Sequence, residues 1–302
     1  MMNKHFRTVN DITIDDFNKI INRAIEFKSG KDKEKRPLIG KSVGLFFEKP
    51  STRTRVSFEV AIYQLGANSI NLNSKEMQIG RGETLADTAI VLSRYLDCII
   101  FRVRSHRTIE TFAKYSSISI VNGLSDLHHP CQALADMMTI KENKKSFDDI
   151  KVVYIGDGNN VANSLIEASI CGSMELVIAC PEEFSPDKDV ISQVKEKYGK
   201  TIEIISDPYE AVSQADVVYT DVWVSMGQEA DMERKQLLLK NYQLNSDLLR
   251  AAKKDAIVMH CLPAYRGQEI TDDVIDGPQS RVFDQAENRL HTAKSLLEFL
   301  LQ

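Results

Sequence analysis

The segment Ser51-Thr52-Arg53-Thr54-Arg55 brings hydroxyl and guanidinium groups together within five positions. It follows an apolar run, residues 43–47, that is typical of a buried strand, and it precedes apolar residues with helical spacing. The segment is therefore predicted to begin a helix. Free N–H groups, the positive end of the helix dipole and the arginine side chains would then point at one spot. Such a spot favours a phosphate or another compact dianion.

The same residues also have an ordinary structural interpretation. Ser and Thr are common helix caps, and arginines in a first turn are usually solvated. Arginine is electrostatically misplaced at a helix N-terminus unless an anion compensates it, which favours the anion site. The segment lacks the Gly-x-x-x-x-Gly-Lys-Ser/Thr pattern, so it is not a P-loop.

Short runs rich in Val and Ile alternate with longer helical patterns along the whole chain. Their near-continuous apolar character is typical of strands covered on both faces in parallel sheets, and the alternation predicts an α/β fold. The predicted strands are Ser42–Glu48, Ser69–Asn73, Cys98–Val103, Ile118–Val121, Lys151–Ile155, Leu176–Cys180, Ile202–Ile205, Val217–Thr220, Ala256–His260 and Arg281–Phe283.

The polar stretch 141–149 predicts a boundary near residue 145. We expect two doubly wound parallel-sheet domains, residues 1–145 and 146–285. A C-terminal helix, predicted over Ala293–Leu301 within residues 286–302, is expected to pack back on the first domain.

Polar residues follow the ends of six predicted strands. In open parallel sheets, ligands bind outside the carboxyl ends of the strands, so these segments predict an active site in a cleft between the two domains. The segments are Ser51–Arg55, Arg102, Asn122–Gln132, Asp157–Asn160, Asp221–Met226 and His260–Pro263.

Each of these residues has an ordinary alternative when it is taken alone. His129 could be a core or loop histidine, Cys261 a small buried hydrophobe, Asp221 a helix cap and Gln132 a surface residue. Arg102 is harder to explain in that way, because a charge at the end of an apolar strand is costly unless it is paired.

Composition excludes several classes of function. The net charge of -5 argues against a general nucleic-acid binder, and no apolar run approaches the ~18 residues of a membrane span. The N-terminus does not resemble a signal peptide. The five cysteines show no CxxC spacing, which favours reduced thiols in the cytoplasm and argues against structural zinc. No metal or cofactor is predicted.

Four motifs together resemble the transcarbamylase family. They are the segment from Phe47-Glu48-Lys49-Pro50 to Arg55, His129-Pro130-Cys131-Gln132, Asp221-Val222-Trp223-Val224-Ser225-Met226-Gly227 and His260-Cys261-Leu262-Pro263. With Glu287-Asn288-Arg289, the resemblance covers nearly the whole chain. The third motif resembles the ornithine-specific members and not those that act on aspartate or putrescine. The resemblance implies transfer of the carbamoyl group of carbamoyl phosphate to the δ-amine of L-ornithine, giving L-citrulline and phosphate in arginine metabolism.

The resemblance also implies roles for individual residues. The residues implied to bind carbamoyl phosphate are Ser51, Thr52, Arg53, Thr54, Gln78, Arg102, His129, Gln132, Cys261, Leu262 and Arg289. Of these, the implied catalytic residues are Thr54, Arg102, His129 and Cys261. The residues implied to bind ornithine are Asn160, Asp221, Ser225 and Met226. Gln78 is implied to reach a neighbouring subunit, because the family forms homotrimers, some of which assemble into dodecamers.

Two other functions remain open from the sequence. Gly156-Asp157-Gly158-Asn159-Asn160-Val161 resembles part of a dinucleotide fingerprint, with Val161 in place of the third glycine, so an NAD(P)-dependent oxidoreductase is one alternative. The other is a non-catalytic regulatory subunit, although the intact site residues argue against it. Tyr265 departs from many bacterial members, without changing the implied substrate. The sequence distinguishes neither the anabolic from the catabolic direction nor a trimer from a dodecamer.

Overall fold

The computed structural model describes residues 5–32, 34–73, 77, 79, 82–224 and 232–302. The chain forms two compact units. The first comprises Met1–Met138 and Glu287–Gln302, and the second comprises Thr139–Ala286. Each unit contains one parallel sheet flanked by helices, which confirms the predicted α/β class with two parallel-sheet domains.

The first unit contains a parallel sheet of order β2-β1-β3-β4. Its strands are β1 (Ser42–Phe47), β2 (Asn68–Asn73), β3 (Cys98–Arg102) and β4 (Ser119–Leu124). Its helices are α1 (Ile14–Lys28), α2 (Thr52–Gln64), α3 (Leu85–Leu92), α4 (His106–Tyr115), the start of α5 (Pro130–Lys144) and most of α12 (Val282–Leu301). A 3₁₀ turn spans Val9–Asp11.

The interior strands of this sheet carry the core of the first unit. Phe46 on β1 and Phe101 on β3 are buried, with ring centroids 5.2 Å apart, and Phe112 of α4 packs 4.7 Å from Phe101. The edge strand β2 differs, because its first four residues are exposed. The expectation that every strand is covered on both faces is therefore wrong for β2, whose Asn and Ser side chains suit an edge.

The N-terminal segment pairs with the other edge of the same sheet. Phe6 N donates to Ile120 O, and Asn122 N donates to Phe6 O, both over 2.8 Å. Phe6 thereby forms a parallel bridge with Val121. The sequence did not predict this addition, because a single bridge carries no periodic pattern.

The second unit contains a parallel sheet of order β7-β6-β5-β8-β9. Its strands are β5 (Lys151–Ile155), β6 (Glu175–Ala179), β7 (Glu203–Ile205), β8 (Val217–Thr220) and β9 (Ile257–His260). Its complete helices are α6 (Asn160–Gly172), α7 (Lys188–Tyr198), α8 (Pro208–Val212), α9 (Met232–Leu239), α10 (Ser246–Leu249) and α11 (Asp272–Ile275). Short 3₁₀ turns span Glu182–Phe184 and Lys240–Tyr242.

Both strand orders are doubly wound. The connections change direction between β1 and β3 in the first sheet, and between β5 and β8 in the second. Ligands bind outside the carboxyl ends of the strands at such switch points. The polar segments that follow β1, β3, β5 and β8 therefore occupy the positions from which each unit can bind a ligand.

Nine of the ten predicted strands are confirmed to within three residues at each end. The tenth, Arg281–Phe283, is wrong, because α12 begins at Val282 and only Ser280 forms a single bridge to Val258. So short an apolar run does not distinguish a strand from the start of a helix. Among the described residues, no helix combines the length and apolar character that crossing a bilayer needs.

Candidate active site

Helix α2 begins at the segment that the sequence singled out. Ser51 is the N-cap, but its side chain makes no capping hydrogen bond to a described residue. The first turn, Thr52-Arg53-Thr54-Arg55, brings two arginines to the positive end of the helix. Helix α1 shows the usual arrangement instead, since Thr13 accepts from Asp16 N and acidic residues occupy its first turn. The predicted helix start is confirmed, and anion binding there remains a prediction.

Arg102 ends β3 beside this segment. Its side chain is buried, and its backbone is paired with Phe47, the last residue of β1. The pairing with β4 shifts between Phe101 and Arg102, where the ladder ends. The buried guanidinium therefore lies at the carboxyl edge of the sheet, as the sequence predicted, at the switch point between β1 and β3.

Arg289 on α12 donates hydrogen bonds to three of the predicted residues. It donates from Nη2 to Thr54 Oγ1 over 3.2 Å, from Nη1 to Gln132 Oε1 over 2.5 Å, and from Nη1 to His129 Nε2 over 3.3 Å. All four side chains are buried. A guanidinium on the last helix thus joins the start of α2 to the start of α5 within the first unit.

His129 is held as a neutral imidazole. A guanidinium can only donate, so Nε2 accepts from Arg289 and the proton resides on Nδ1. Burial, followed by the charges of Arg289 and Arg102, lowers the pKa of His129 well below its ordinary value of 6.5. At neutral pH, His129 therefore offers one N–H group and no positive charge.

A buried turn positions His129. Asn122 Nδ2 donates to Ser125 Oγ and to His128 O, over 3.3 and 3.4 Å. Ser125 N donates to His128 O over 2.9 Å, and His128 N donates back to Ser125 Oγ over 3.1 Å. Cys131 Sγ then donates to Asn122 O. These bonds fix the chain immediately before and after His129.

The second unit brings together Asp221, Asn159 and Cys261. Asn159 Nδ2 donates to Asp221 Oδ2 over 2.8 Å, and Cys261 Sγ donates to Asp221 Oδ1 over 2.9 Å. Asp221 follows β8, Asn159 follows β5 and Cys261 follows β9, so three strand ends meet at one carboxylate. Asn160, the first residue of α6, is partly buried beside them. This carboxylate could bind the ammonium group of an amino-acid substrate.

His260 holds the turn that contains Cys261 and Leu262. Its Nδ1 accepts from Leu262 N over 2.9 Å, so its Nε2 donates to Glu269 Oε1 over 3.1 Å. Both His260 and Glu269 are completely buried. Glu269 also accepts from Tyr265 N. The pair therefore fixes the backbone around Leu262, whose φ is +55° and which precedes a cis proline.

The loop after β5 does not favour a dinucleotide. A Cβ on Gly158 would lie 2.4 Å from Pro186 N and 2.5 Å from Phe184 O, so this glycine packs against protein backbone. The first N–H groups of α6 are also occupied, since Asn159 Oδ1 accepts from Val161 N and Ala162 N. Because a pyrophosphate needs these groups, the oxidoreductase alternative loses its support.

One group among the described residues has metal-ligand spacing. Ligand atoms of Asp221, His260 and Cys261 lie within 4.8 Å of one another. Both ring nitrogens of His260 are already engaged, by Leu262 N and by Glu269. Metal binding would break one of these buried bonds, and the expectation of no metal stays a prediction.

Three predicted residues, Gln78, Ser225 and Met226, lie outside the described residues. The structure also adds residues that the sequence did not single out. Asp136 bonds Gln132, and Lys235 pairs with Asp157 over 2.6 Å. The spacing of four between Gln132 and Asp136 on one helix was the signal that could have identified Asp136.

Comparison with known proteins identifies the family of this chain. Residues 4–142 match the model of the aspartate/ornithine carbamoyltransferase carbamoyl-P binding domain, and residues 148–300 match the Asp/Orn binding domain of the same family. The chain belongs to the aspartate/ornithine carbamoyltransferase family. It is therefore a carbamoyltransferase, as the motifs predicted.

Similar carbamoyltransferases cover the chain from end to end. An ornithine carbamoyltransferase of Syntrophus aciditrophicus is 49% identical over 302 residues, which is 99% of this chain and 100% of that protein. An anabolic ornithine carbamoyltransferase of Pyrococcus furiosus is 50% identical, covering 96% of this chain and 94% of that protein. A solved P. furiosus ornithine carbamoyltransferase superposes with a TM-score of 0.93 at 49% identity, covering 99% of this chain and 97% of that one.

Proposed function

We propose that this chain is an ornithine carbamoyltransferase, which transfers the carbamoyl group of carbamoyl phosphate to the δ-amine of L-ornithine. The observation that carries the proposal is the cluster of Thr54, His129 and Gln132 around Arg289. Thr54, His129 and Gln132 lie within residues 4–142, which match a carbamoyl-P binding domain, and Arg289 lies in the same compact unit. Relatives that are about half identical, and named for this activity, support the choice of ornithine.

The phosphate of carbamoyl phosphate binds at the start of α2. Ser51, Thr52, Arg53 and Thr54 supply hydroxyl, N–H and guanidinium groups there. The positive end of the helix and the arginine favour a dianion, and they also stabilise the phosphate as it leaves.

The carbonyl oxygen of the carbamoyl group binds to Thr54, Arg102 and His129. These groups become most useful in the transition state, when the oxygen acquires negative charge. Arg102 supplies a buried positive charge, and neutral His129 supplies an N–H group. Gln132 binds the carbamoyl amine, and Arg289 orders Thr54, His129 and Gln132 through its hydrogen bonds.

The chemistry requires a neutral amine. The neutral δ-nitrogen attacks the carbamoyl carbon, a C–N bond forms, the C–O bond to phosphate breaks, and the proton lost from nitrogen goes to phosphate. A lysine-like amine has a pKa of about 10.4, which neighbouring cationic groups lower. Holding the two substrates together supplies much of the rate.

Ornithine binds at the carboxylate of Asp221. Asp221 and Asn160 bind its charged amino-acid end, together with Ser225 and Met226 of the following segment. Cys261 and Leu262 lie on the turn held by His260, where they contact the reacting centre. The hydrogen bonds from Asn159 and Cys261 to Asp221 support this assignment, because they give the carboxylate a fixed orientation.

We further propose that the enzyme is a cytoplasmic homotrimer of arginine metabolism, in which Gln78 reaches the phosphate site of a neighbouring subunit. All five cysteines are free thiols, which supports a reducing compartment. Residues 1–145, with 286–302, bind carbamoyl phosphate in this proposal, and residues 146–285 bind ornithine.

The test is an assay of ureido product from carbamoyl phosphate with L-ornithine, putrescine, N-acetylornithine and L-aspartate side by side. We expect a strong preference for L-ornithine, with L-citrulline as the product. Preference for another amine would contradict the assignment of the Asp221 pocket while leaving carbamoyl-phosphate binding intact. Lack of turnover with all four amines would favour a non-catalytic role. Sedimentation of the purified chain tests the trimer separately.

A further inference from the structure

Asp136 lies one helical turn after Gln132 on α5 and is completely buried. Gln132 Nε2 donates to Asp136 Oδ1 over 2.8 Å. The other end of the same amide, Oε1, accepts from Arg289 Nη1 over 2.5 Å. The Gln132 side chain is therefore held at both ends by charged groups of opposite sign.

These two partners determine which way the amide points. A carboxylate can only accept and a guanidinium can only donate, so the amide nitrogen faces Asp136 and the amide oxygen faces Arg289. The reverse orientation would place two oxygens together at Asp136 and two donors together at Arg289. Since Arg289 also contacts Thr54 and His129, the oxygen of Gln132 lies on the side of these residues.

The burial of Asp136 is costly without such a role. Every residue of α5 from Cys131 to Ile140 is buried, so the helix is surrounded by protein on all sides at this point. A carboxylate in that environment loses its hydrogen bonds to water, and hydrogen bonds within the protein must replace them. Gln132 supplies one of those bonds, and in return the orientation of its amide is fixed.

Resting on the proposed function, we infer that Asp136 is a positioning residue that determines specificity for the donor substrate. It holds Gln132 with its amide oxygen presented as an acceptor for the –NH₂ of the carbamoyl group. One lone pair of this oxygen accepts from Arg289, and the second can accept from a substrate N–H. Acetyl phosphate has the same phosphate but a methyl group in place of –NH₂, so it offers no donor and is rejected.

A double-mutant cycle tests the role of Asp136, with kcat/KM for carbamoyl phosphate as the readout. Asp136→Asn has nearly the same shape, but it can donate as well as accept, so it no longer fixes the amide. We expect it to lower kcat/KM at least about tenfold in the otherwise unchanged enzyme. In the Gln132→Ala background we expect at most about a twofold further loss, because the group through which Asp136 acts is absent. Equal losses in both backgrounds would overturn the inference.

Equilibrium binding separates positioning from damage to the fold. We expect Asp136→Asn to weaken the binding of carbamoyl phosphate but to leave the affinity for inorganic phosphate within about twofold, since phosphate has no amide for Gln132 to bind. Weakening of both ligands by the same factor would overturn the inference. Asp97→Asn, which removes a structural carboxylate that accepts from Ser42 N, is the matched control and should change neither affinity.

A measurement on the unaltered enzyme still tests the donor specificity if Asp136→Asn and a second variant, Asp136→Ser, both fail to fold. Acetyl phosphate should compete with carbamoyl phosphate, and its inhibition constant should be at least about tenfold higher than the dissociation constant of carbamoyl phosphate. Acetyl phosphate binds more weakly because it offers no N–H donor to Gln132. Equal binding would overturn the inference. Absence of citrulline from the unaltered enzyme would instead overturn the proposed function, so the two failures are distinguishable.

Discussion

Arg289 Nη2 donates to Thr54 Oγ1 over 3.2 Å, joining two residues that are 235 positions apart in the chain. The contact ties the C-terminal helix to the first turn of α2. The same guanidinium donates to Gln132 and to His129. The C-terminal helix thus contributes to the proposed carbamoyl-phosphate site as well as to the packing of the first unit.

Arg289→Lys should therefore impair binding of carbamoyl phosphate more than it impairs the fold. Lysine keeps the charge, but its single ammonium group cannot reproduce a planar fork that donates to three side chains. We expect kcat/KM for carbamoyl phosphate to fall at least about 100-fold, consistent with the loss of charge-assisted hydrogen bonds. Steady-state kinetics with saturating ornithine measures this.

Arg266→Lys is the matched control for that substitution. Arg266 is an exposed arginine paired with Asp272 and Asp276. Exposed ion pairs contribute little, so kcat/KM should stay within about twofold. If Arg289→Lys behaved like Arg266→Lys, Arg289 would not belong to the donor site.

Asp221→Asn should impair the use of ornithine selectively. Asp221 accepts from Asn159 and from Cys261, and an amide in its place has only one oxygen and no negative charge. We expect kcat/KM for ornithine to fall at least about 100-fold, with a smaller change in binding of carbamoyl phosphate. Cys261→Ser, which can still donate to Asp221, should lower kcat/KM for ornithine less than Asp221→Asn does. Equal loss for both substrates would argue against the assignment.

Local patterns predicted the elements that present the site, because strands and helix starts carry their own signals. The run before Ser51 and the arginines after it identified both β1 and the start of α2. The bridge of Phe6 to β4 and the helical start at Val282 were not predicted, because each depends on packing and not on a repeated pattern.

The chemical environment of the site depends on long-range contacts that the sequence does not display. His129 was recognised from its motif, but its neutral state results from burial and from two distant arginines. Asp136 is four residues from Gln132, and that spacing alone did not show that it is buried. Motifs therefore named most of the residues, and the structure supplied their protonation and orientation.

The buried His128 should make the free energy of unfolding depend on pH. Burial, together with His106, whose ring centroid is 5.1 Å away, lowers the pKa of His128 to about 3. An unfolded histidine titrates near 6.5, so between these values the unfolded state binds the extra proton. The free energy of unfolding should therefore fall as pH falls from about 6.5 towards 3, by about 1.4 kcal/mol per pH unit from this residue.

Urea denaturation at several pH values measures this dependence, at a fixed protein concentration. His128→Phe keeps a ring against His106 but cannot take up a proton. As the pH falls, the free energy of unfolding of this variant should decrease less steeply than that of the unaltered chain. The difference in slope should be about 1.4 kcal/mol per pH unit, the contribution of one proton. Identical slopes for the two proteins would contradict a buried, neutral His128.

Lys235 and Asp157 form a buried ion pair whose disruption should be costly. Their side chains are 7% and 8% exposed, and Nζ lies 2.6 Å from Oδ2. Burial raises the pKa of Asp157, while Lys235 opposes that rise. Lys235→Met leaves a buried carboxylate without its cation, so we expect a loss of about 3–5 kcal/mol in the free energy of unfolding. Without Lys235 the pKa of Asp157 rises further, so the folded state binds more protons than the unfolded state and the loss should grow as pH rises.

The double variant Asp157→Asn/Lys235→Met removes both charges and should recover much of the stability. Arg250→Met, which breaks an exposed pair with Asp247, should cost less than about 1 kcal/mol. If the double variant were no more stable than Lys235→Met, the cost would come from the lost cation–π contact of Lys235 Nζ, which lies 5.3 Å from the centroid of the Phe184 ring, and not from the unpaired charge of Asp157.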